Sequence, residues 1–274
     1  MSRRLLTATA LSQISKQRRV QSWIWFLDID GTLLDMAPTP SAVRVPINLS
    51  ASLLRLIQNP RHHVALISGR SLDDIRGLFP NLQLSISGNH GAEYCWAENL
   101  WVHNSSQRFL ATRPQVLDAL SSFERCFPGI LIEDKQYSLS VHYRHVASAL
   151  HPHLQDVLKE RLASIPGITI LPAKRCWEIR PNPGSSKEDA VKTLYEKISC
   201  TLPHPILPII MGDDRTDEDA FHALRDSLTI HVGEGLSEAA FWLPSPRHVR
   251  DLLSEISRRP HLLLAGDHDS SQNR

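Results

Sequence analysis

The chain has 274 residues, 42% of them hydrophobic, enough for one large domain or two smaller ones with cores of their own. Its 30 Lys and Arg against 29 Asp and Glu leave no overall field to recruit nucleic acid or an anionic membrane. Four cysteines, Cys95, Cys126, Cys176 and Cys200, stand far apart without a CxxC pair, which speaks against a zinc site or a disulfide framework and for reduced, mostly buried thiols. No apolar run reaches the roughly 18 residues of a membrane-spanning helix, so a cytoplasmic protein is expected.

Residues 1–21 carry Arg3, Arg4, Lys16, Arg18 and Arg19 but no acid. They read as a flexible extension, a transit peptide being the other reading. Three apolar runs then share one design: Trp23-Ile24-Trp25-Phe26-Leu27, residues 64–67 and residues 206–211 each run into small or acidic polar residues. Such runs are buried parallel strands. Helical patterns over 48–58, 71–79 and 187–198 alternate with them, so the expected class is α/β with a doubly wound parallel sheet. Ligands of such sheets sit beyond the carboxyl ends of the strands.

The middle is patterned differently, with a helix around 115–126, a strand around 130–143, a helix over 147–163 and strands up to 179. An inserted α+β domain over 106–180 follows, flanked by core segments 22–105 and 181–264 and a flexible tail at 265–274. From 138 to 144 the side chains alternate, with Ser138, Ser140, His142 and Arg144 on a face that can meet a polar ligand and Leu139, Val141 and Tyr143 on a packing face.

The first chemical constellation is Asp28-Ile29-Asp30-Gly31-Thr32, where two carboxylates leave the first strand at a glycine turn. If both are ionised, their repulsion is most simply offset by a hard cation such as Mg²⁺, which prefers oxygen ligands and also takes phosphate oxygens. An ordinary acidic turn is the alternative. The second packs five acids into residues 213–219, after Gly212. Thr216 is the expected cap of the following helix, whose dipole accounts for Asp217, Glu218 and Asp219 better than for Asp213. Asp213 can instead join Asp28 and Asp30 on a shared cation. In Ser68-Gly69-Arg70 a hydroxyl and a guanidinium can hold phosphate oxygens, although Ser-Gly also simply marks turns. Ser185 and Glu188 have capping-box spacing, which places Lys187 in a first helical turn, where its charge opposes the dipole unless an anion is bound.

These four motifs match, in type and order, those of the haloacid-dehalogenase superfamily, a resemblance that implies a Rossmann-like core with a parallel sheet and makes the inserted α+β domain over 106–180 its cap domain. Within it the chain resembles the trehalose-6-phosphate phosphatases through Ser68-Gly69-Arg70, Gly88-Asn89-His90-Gly91-Ala92-Glu93, Glu133-Asp134-Lys135, His142-Tyr143-Arg144, Glu178-Ile179-Arg180-Pro181 and the acidic stretch from Gly212 to Phe221, a likeness over residues 23–245. The resemblance implies Asp28 as nucleophile, forming an aspartyl-phosphate, with Asp30 as general acid and then base. It implies Mg²⁺ on Asp28, the Asp30 carbonyl and Asp213, with Asp214 and Asp217 in support. Ser68 and Lys187 would donate to phosphoryl oxygens, helped by Arg70.

Sugar recognition falls by the same resemblance to Glu133, Lys135, Arg144 and Glu178, for which surface ion pairs are the competing reading. Asn89, His90 and Glu93 either line the cleft or order their turn, and none is assigned a catalytic role. Glu188 departs from the glycine that usually follows the motif lysine. The implied substrate is trehalose 6-phosphate. Sucrose-6-phosphate or mannosyl-3-phosphoglycerate phosphatase, a non-catalytic sugar-phosphate-binding domain and a protein-interaction domain stay open as rivals. The expected partner is a small-molecule sugar phosphate alone, and a monomer is the expectation.

Overall fold

The computed structural model describes residues 4–37, 39, 42–173 and 175–263. The chain divides into two units, one drawn from Met1–Asn99 and Ser186–Arg274, the other from Leu100–Ser185. Before the middle unit come strands β1 (Arg4–Leu5), β2 (Ser22–Leu27), β3 (His62–Ile67), β4 (Ser85–Gly88) and β5 (Glu93–Trp96), and β6 (Asn99–Val102) leads into it. The middle unit holds β7 (Leu131–Asp134), β8 (Leu139–His142), β9 (Ile168–Ala173) and β10 (Cys176–Pro181). After it come β11 (Ile206–Gly212), β12 (Leu228–Val232) and β13 (Phe241–Leu243).

The large sheet has the order β1-β13-β12-β11-β2-β3-β4-β5-β6. Pairing is parallel from β1 through β4, and β5 is antiparallel to β4. The expected parallel α/β core is therefore present.

Both faces of the central strands are covered, which is why their sequences are continuously apolar. Trp23, Trp25 and Leu27 of β2, Val64 and Leu66 of β3, and Leu207, Ile209 and Met211 of β11 share a core with residues of α1 (Ala8–Gln17), α2 (Ile47–Ile57) and α9 (Pro246–Arg258), among others. The alternate residues Ile24, Phe26, Ala65 and Ile210 are equally buried. On that side α7 (Lys187–Ser199) packs on β2 and β3, burying Ala190, Val191, Leu194 and Ile198 at helical spacing. Each large apolar side chain so buried contributes about 1.5–3 kcal/mol.

Residues 4–20 do not form the expected loose extension. β1 pairs in parallel with β13, Arg4 opposite Phe241, and α1 buries Ala8, Leu11, Ser12 and Ser15. Thr7 Oγ1 caps α1 by accepting from Ala10 N at 3.1 Å, and Trp23 Nε1 donates to Ser15 Oγ at 3.0 Å. The buried face of α1 is built largely of Ala and Ser, so its periodicity is faint in sequence. The tail expected to be flexible, 265–274, lies outside the described residues.

The middle unit is an antiparallel sheet of order β7-β8-β10-β9. Leu139, Val141, Trp177 and Ile179 from one face share a core with Phe109, Val116 and Leu120 of α4 (Asn104–Leu120) and Leu154, Leu158 and Leu162 of α6 (His151–Leu162). The single strand expected over 130–143 is a hairpin, turned where Asp134 Oδ1 accepts from Gln136 N at 3.0 Å and Gln136 takes φ 68°. The helix expected over 115–126 begins earlier, at Asn104, and breaks after Leu120, ahead of the short α5 (Phe123–Cys126). Of the four cysteines, Cys95 and Cys176 are buried and Cys126 and Cys200 exposed, all free thiols, so the expectation of mostly buried thiols holds for only two.

Candidate active site

Parallel neighbours bring the acidic motifs together. β2 and β11 pair through Leu27 and Met211, and Asp28 N donates to Met211 O at 3.0 Å, so Asp28 and Asp213 leave adjacent strands at the same sheet end. Gly31 turns the chain there at φ +88°, and a Cβ on it would run into the Asp213 carboxylate. Asp28, Asp213 and Asp217 each offer a carboxylate oxygen within 4.8 Å of the others.

Lys187 ties this cluster to α7. Its Nζ lies 2.8 Å from Asp28 Oδ1 and 2.7 Å from Asp217 Oδ1, and all three side chains are buried. The helix is started by Ser186, whose Oγ accepts from Asp189 N at 3.1 Å while Asp189 bonds back to Ser186 N at 3.0 Å. The capping box is therefore Ser186 with Asp189, one residue on from the expected Ser185 and Glu188. Glu188 turns outward to pair with Lys192.

The second acidic motif is capped two residues earlier than expected. Asp214 is the N-cap of α8 (Arg215–Phe221): its Oδ1 accepts from Thr216 N at 2.8 Å and Asp217 N at 3.3 Å, displacing Thr216 from that role. Asp217 Oδ2 accepts from Asp213 N at 3.0 Å and Asp214 N at 3.1 Å. Its other oxygen is left for Lys187. Gly212 makes room for this, since a Cβ there would overlap Asp217.

The electrostatics favour added positive charge. Burial pushes the Asp28 carboxyl up, to about 7, with Lys187 pulling it down and Asp213 and Asp214 adding to the rise. Burial raises Asp217 as well. Although burial opposes it, the charge of Lys187 and the bond from Thr216 hold Asp214 well below the usual carboxylate range. Burial also disfavours the ammonium of Lys187, but Asp217 and Asp28 outweigh it and keep Lys187 charged. An all-oxygen set sharing one lysine fits a hard divalent cation.

Asp30 stands apart from that trio. Its carboxylate takes a bidentate bond from Arg70, Nε to Oδ2 at 2.6 Å and Nη2 to Oδ1 at 2.7 Å. Arg70, expected to help hold phosphoryl oxygens, thus has Asp30 as its acidic partner. Ser68, which follows β3, is buried and fixed through its main chain, N to Ser87 O at 2.9 Å.

In the middle unit, Glu133, Ser140 and Glu178 stand opposite one another across β7, β8 and β10 and so share a face. Glu133 Oε2 meets His142 Nε2 at 2.8 Å and Lys135 Nζ at 3.8 Å. Glu178 accepts from Arg180, Nε to Oε2 at 2.7 Å. Burial pushes the Cys176 thiol up to about 12, and the charges of Glu178, Lys135, Glu133 and Arg180 act on it as well. Arg144 follows β8 by two residues. Of the face expected to meet ligand, Ser138 and Ser140 are buried while His142 and Arg144 are partly exposed.

The family model described as trehalose-phosphatase matches residues 26–239, a span that holds every one of these side chains. The chain belongs to the trehalose-phosphatase family. A probable trehalose-phosphate phosphatase of Sinorhizobium fredii is 34% identical over 245 residues, covering 87% of this chain and 89% of that protein. Trehalose-phosphate phosphatase B of Arabidopsis thaliana is 27% identical over 252 residues, covering 85% of this chain and 66% of the plant protein, so the chain spans just under two thirds of that relative's length. A crystal structure of a trehalose-6-phosphate phosphatase related protein superposes with a TM-score of 0.77 at 28% identity, covering 87% of this chain and 98% of that one.

His142 and Arg180, to which the sequence motifs assign no sugar-reading role of their own, are the ion-pair partners of Glu133 and Glu178, and alternation puts each on the polar face of its strand.

Proposed function

We propose that the protein is a Mg²⁺-dependent phosphatase that hydrolyses trehalose 6-phosphate to trehalose and phosphate, in trehalose biosynthesis. The observation that carries this reading is the buried Asp28 carboxylate, held by Lys187 beside Asp213 and Asp217 at the carboxyl end of β2. A carboxylate so placed is a nucleophile with its charge offset and its direction fixed.

Mg²⁺ would be held by Asp28, Asp213 and the Asp30 carbonyl, with Asp214 and Asp217 behind them. When bound, it lessens the repulsion between the phosphoryl dianion and Asp28. Asp28 attacks phosphorus to form an aspartyl-phosphate, and the bond to the sugar oxygen breaks as Asp30 gives that oxygen a proton. Asp30 then takes a proton from the water that cleaves the aspartyl-phosphate, freeing phosphate and restoring Asp28. For this Asp30 has to leave Arg70, and a phosphoryl oxygen is the competitor that can draw the guanidinium away. Ser68 and Lys187 hold the non-bridging oxygens.

Glu133, Lys135, Arg144 and Glu178 would read the sugar hydroxyls through charge-assisted hydrogen bonds. A purely sugar-phosphate-binding role is disfavoured because Asp28, Asp30, Lys187 and Asp213 are all retained. No helix among the described residues is long and apolar enough to cross a membrane. A cytoplasmic location and a monomeric state belong to the same proposal.

The test is phosphate release with Mg²⁺ from trehalose 6-phosphate, sucrose 6-phosphate, mannosyl-3-phosphoglycerate and glucose 6-phosphate, with EDTA and Asp28→Asn as controls. Preference for trehalose 6-phosphate, lost in both controls, is the expected result. Preference for another sugar would keep Asp28 and reject the assignment of the sugar-reading residues. Full activity of Asp28→Asn would reject the mechanism.

A further inference from the structure

Glu93 lies outside the phosphoryl chemistry, yet it is a buried acid, only 8% exposed, at the first position of β5. Burial pushes its carboxyl up, opposed by the bonds it accepts from Leu72 and Asn89. Those bonds span two separate loops. Glu93 Oε1 accepts from Leu72 N at 2.9 Å and from Asn89 Nδ2 at 2.7 Å. Leu72 opens α3 (Leu72–Leu78), directly after the Ser68-Gly69-Arg70-Ser71 segment. Asn89 opens the turn that follows β4.

The turn and the segment are laced together along their whole length. Ser68 N donates to Ser87 O at 2.9 Å, His90 N to Ser68 O at 3.0 Å, and Asn89 N to Arg70 O at 2.7 Å. The two chains approach too closely for side chains in between. A Cβ on Gly69 would strike the His90 ring, and one on Gly88 would sit 2.9 Å from both Arg70 O and Leu72 N and 3.0 Å from Glu93 Oε1.

The turn is also one the backbone does not favour by itself. Asn89, His90 and Gly91 take φ of 48°, 54° and 91°, three left-handed residues in succession, two of them with side chains. Such a conformation persists only where its surroundings over-determine it. Glu93 supplies that constraint at both ends: through Asn89 it holds the left-handed turn, and through Leu72 it pins the start of α3, where a negative charge is favourable.

We infer that Glu93 is a positioning residue for the phosphoryl site, fixing the main chain of residues 68–72 so that the Ser68 hydroxyl and the Arg70 guanidinium stay in register with Asp28 and Asp30. It acts on transition-state geometry rather than on ground-state affinity, because it touches neither reacting group and only limits where the donors can be. The inference rests on the phosphatase reading for its catalytic part and on geometry alone for the order of the segment.

The test compares Glu93→Gln, which keeps the Oε1 acceptor, with Glu93→Ala and Asn89→Ala. Each is assayed for phosphate release from trehalose 6-phosphate and for amide hydrogen exchange of residues 68–72, well below its melting temperature. Expected are a fall in kcat of roughly 10- to 100-fold for Glu93→Ala, the scale of a small misplacement of catalytic groups, with KM little changed and Glu93→Gln largely rescued. Exchange should quicken at Leu72 and neighbouring amides in both alanine variants. If Glu93→Ala does not fold, Asn89→Ala, which removes one donor from the same oxygen, decides the matter by the same split. Unchanged kcat with unchanged exchange in a folded variant overturns the inference, as does a loss confined to KM. An inactive wild type would sink the phosphatase reading instead, and the exchange arm would still decide whether Glu93 orders the segment.

Discussion

Lys187 Nζ bridges Asp28 and Asp217, 2.8 Å from one carboxylate and 2.7 Å from the other, so one buried cation holds the proposed nucleophile and the acid that orders the Gly212-Asp213-Asp214 turn. Both carboxylates are buried, so the pair depends on the ammonium. Lys187→Met fills most of the volume and removes the charge. At pH 7 the variant should lose about 3–5 kcal/mol in urea unfolding, the usual cost of stripping one partner from a buried ion pair. Phosphate release should fall at least about 100-fold. A loss of stability under about 1 kcal/mol would mean that the two acids find other compensation.

Much of this site is legible in sequence because parallel strands buried on both faces are continuously apolar, and the acids that end them stand out against that background. What is not legible follows from the same physics. Which of several nearby polar residues caps a helix depends on backbone direction, so Ser186 and Asp214 take roles that spacing alone assigns to Ser185 and Thr216. The small residues on the buried face of α1 hide its amphipathicity, and the Asp134 turn hides a hairpin inside one run of strand-forming residues. The pairing of Arg70 with Asp30 joins residues 40 apart in sequence, which no local pattern encodes.

Gly31 offers a test of the proposed cation site that removes no carboxylate. Ala at this position has to adopt φ near +88°, and its Cβ would press on the Asp213 carboxylate. Gly31→Ala should weaken Mg²⁺ binding by roughly 10- to 100-fold, the range seen when the supports of metal ligands are disturbed, read by titration calorimetry. Gly77→Ala is the control, since nothing lies within 4 Å of a Cβ there and it sits within α3. It should leave Mg²⁺ affinity unchanged. Equal affinity in Gly31→Ala would show that Asp213 does not ligate the ion.

Glu133 and Glu178 should matter in proportion to how much sugar the substrate carries. Glu133→Ala and Glu178→Gln are expected to lower kcat/KM for trehalose 6-phosphate far more than for a small aryl phosphate, which has no second sugar to recognise. Gln is the fairer change at residue 178, because Ala would also leave the buried Arg180 guanidinium without its partner. Parallel losses on both substrates would assign these acids to the stability of the middle unit.

His62 makes the first unit sensitive to acid at a place remote from the carboxylates. Trp25 Nε1 donates to its Nδ1 at 3.0 Å, its ring stacks on Trp23 with centroids 4.9 Å apart, and it is 4% exposed. Both the donated bond and the burial require the neutral ring, and burial lowers its pKa from 6.5 to about 4. The unfolded chain therefore binds the proton first. The stabilisation is complete above about pH 6.5 and is lost as pH falls through about 4, at most about 3 kcal/mol for this one group. His62→Gln keeps an acceptor for Trp25 and cannot titrate in this range. Between pH 7 and pH 4.5 the wild type should lose about 2 kcal/mol more than the variant in urea unfolding. Parallel declines would mean that His62 is already protonated in the fold or escapes its site on protonation. In either case the acid sensitivity of this unit would have to come from its other titrating groups, with His63, which burial also lowers to about 4, as the next residue to replace.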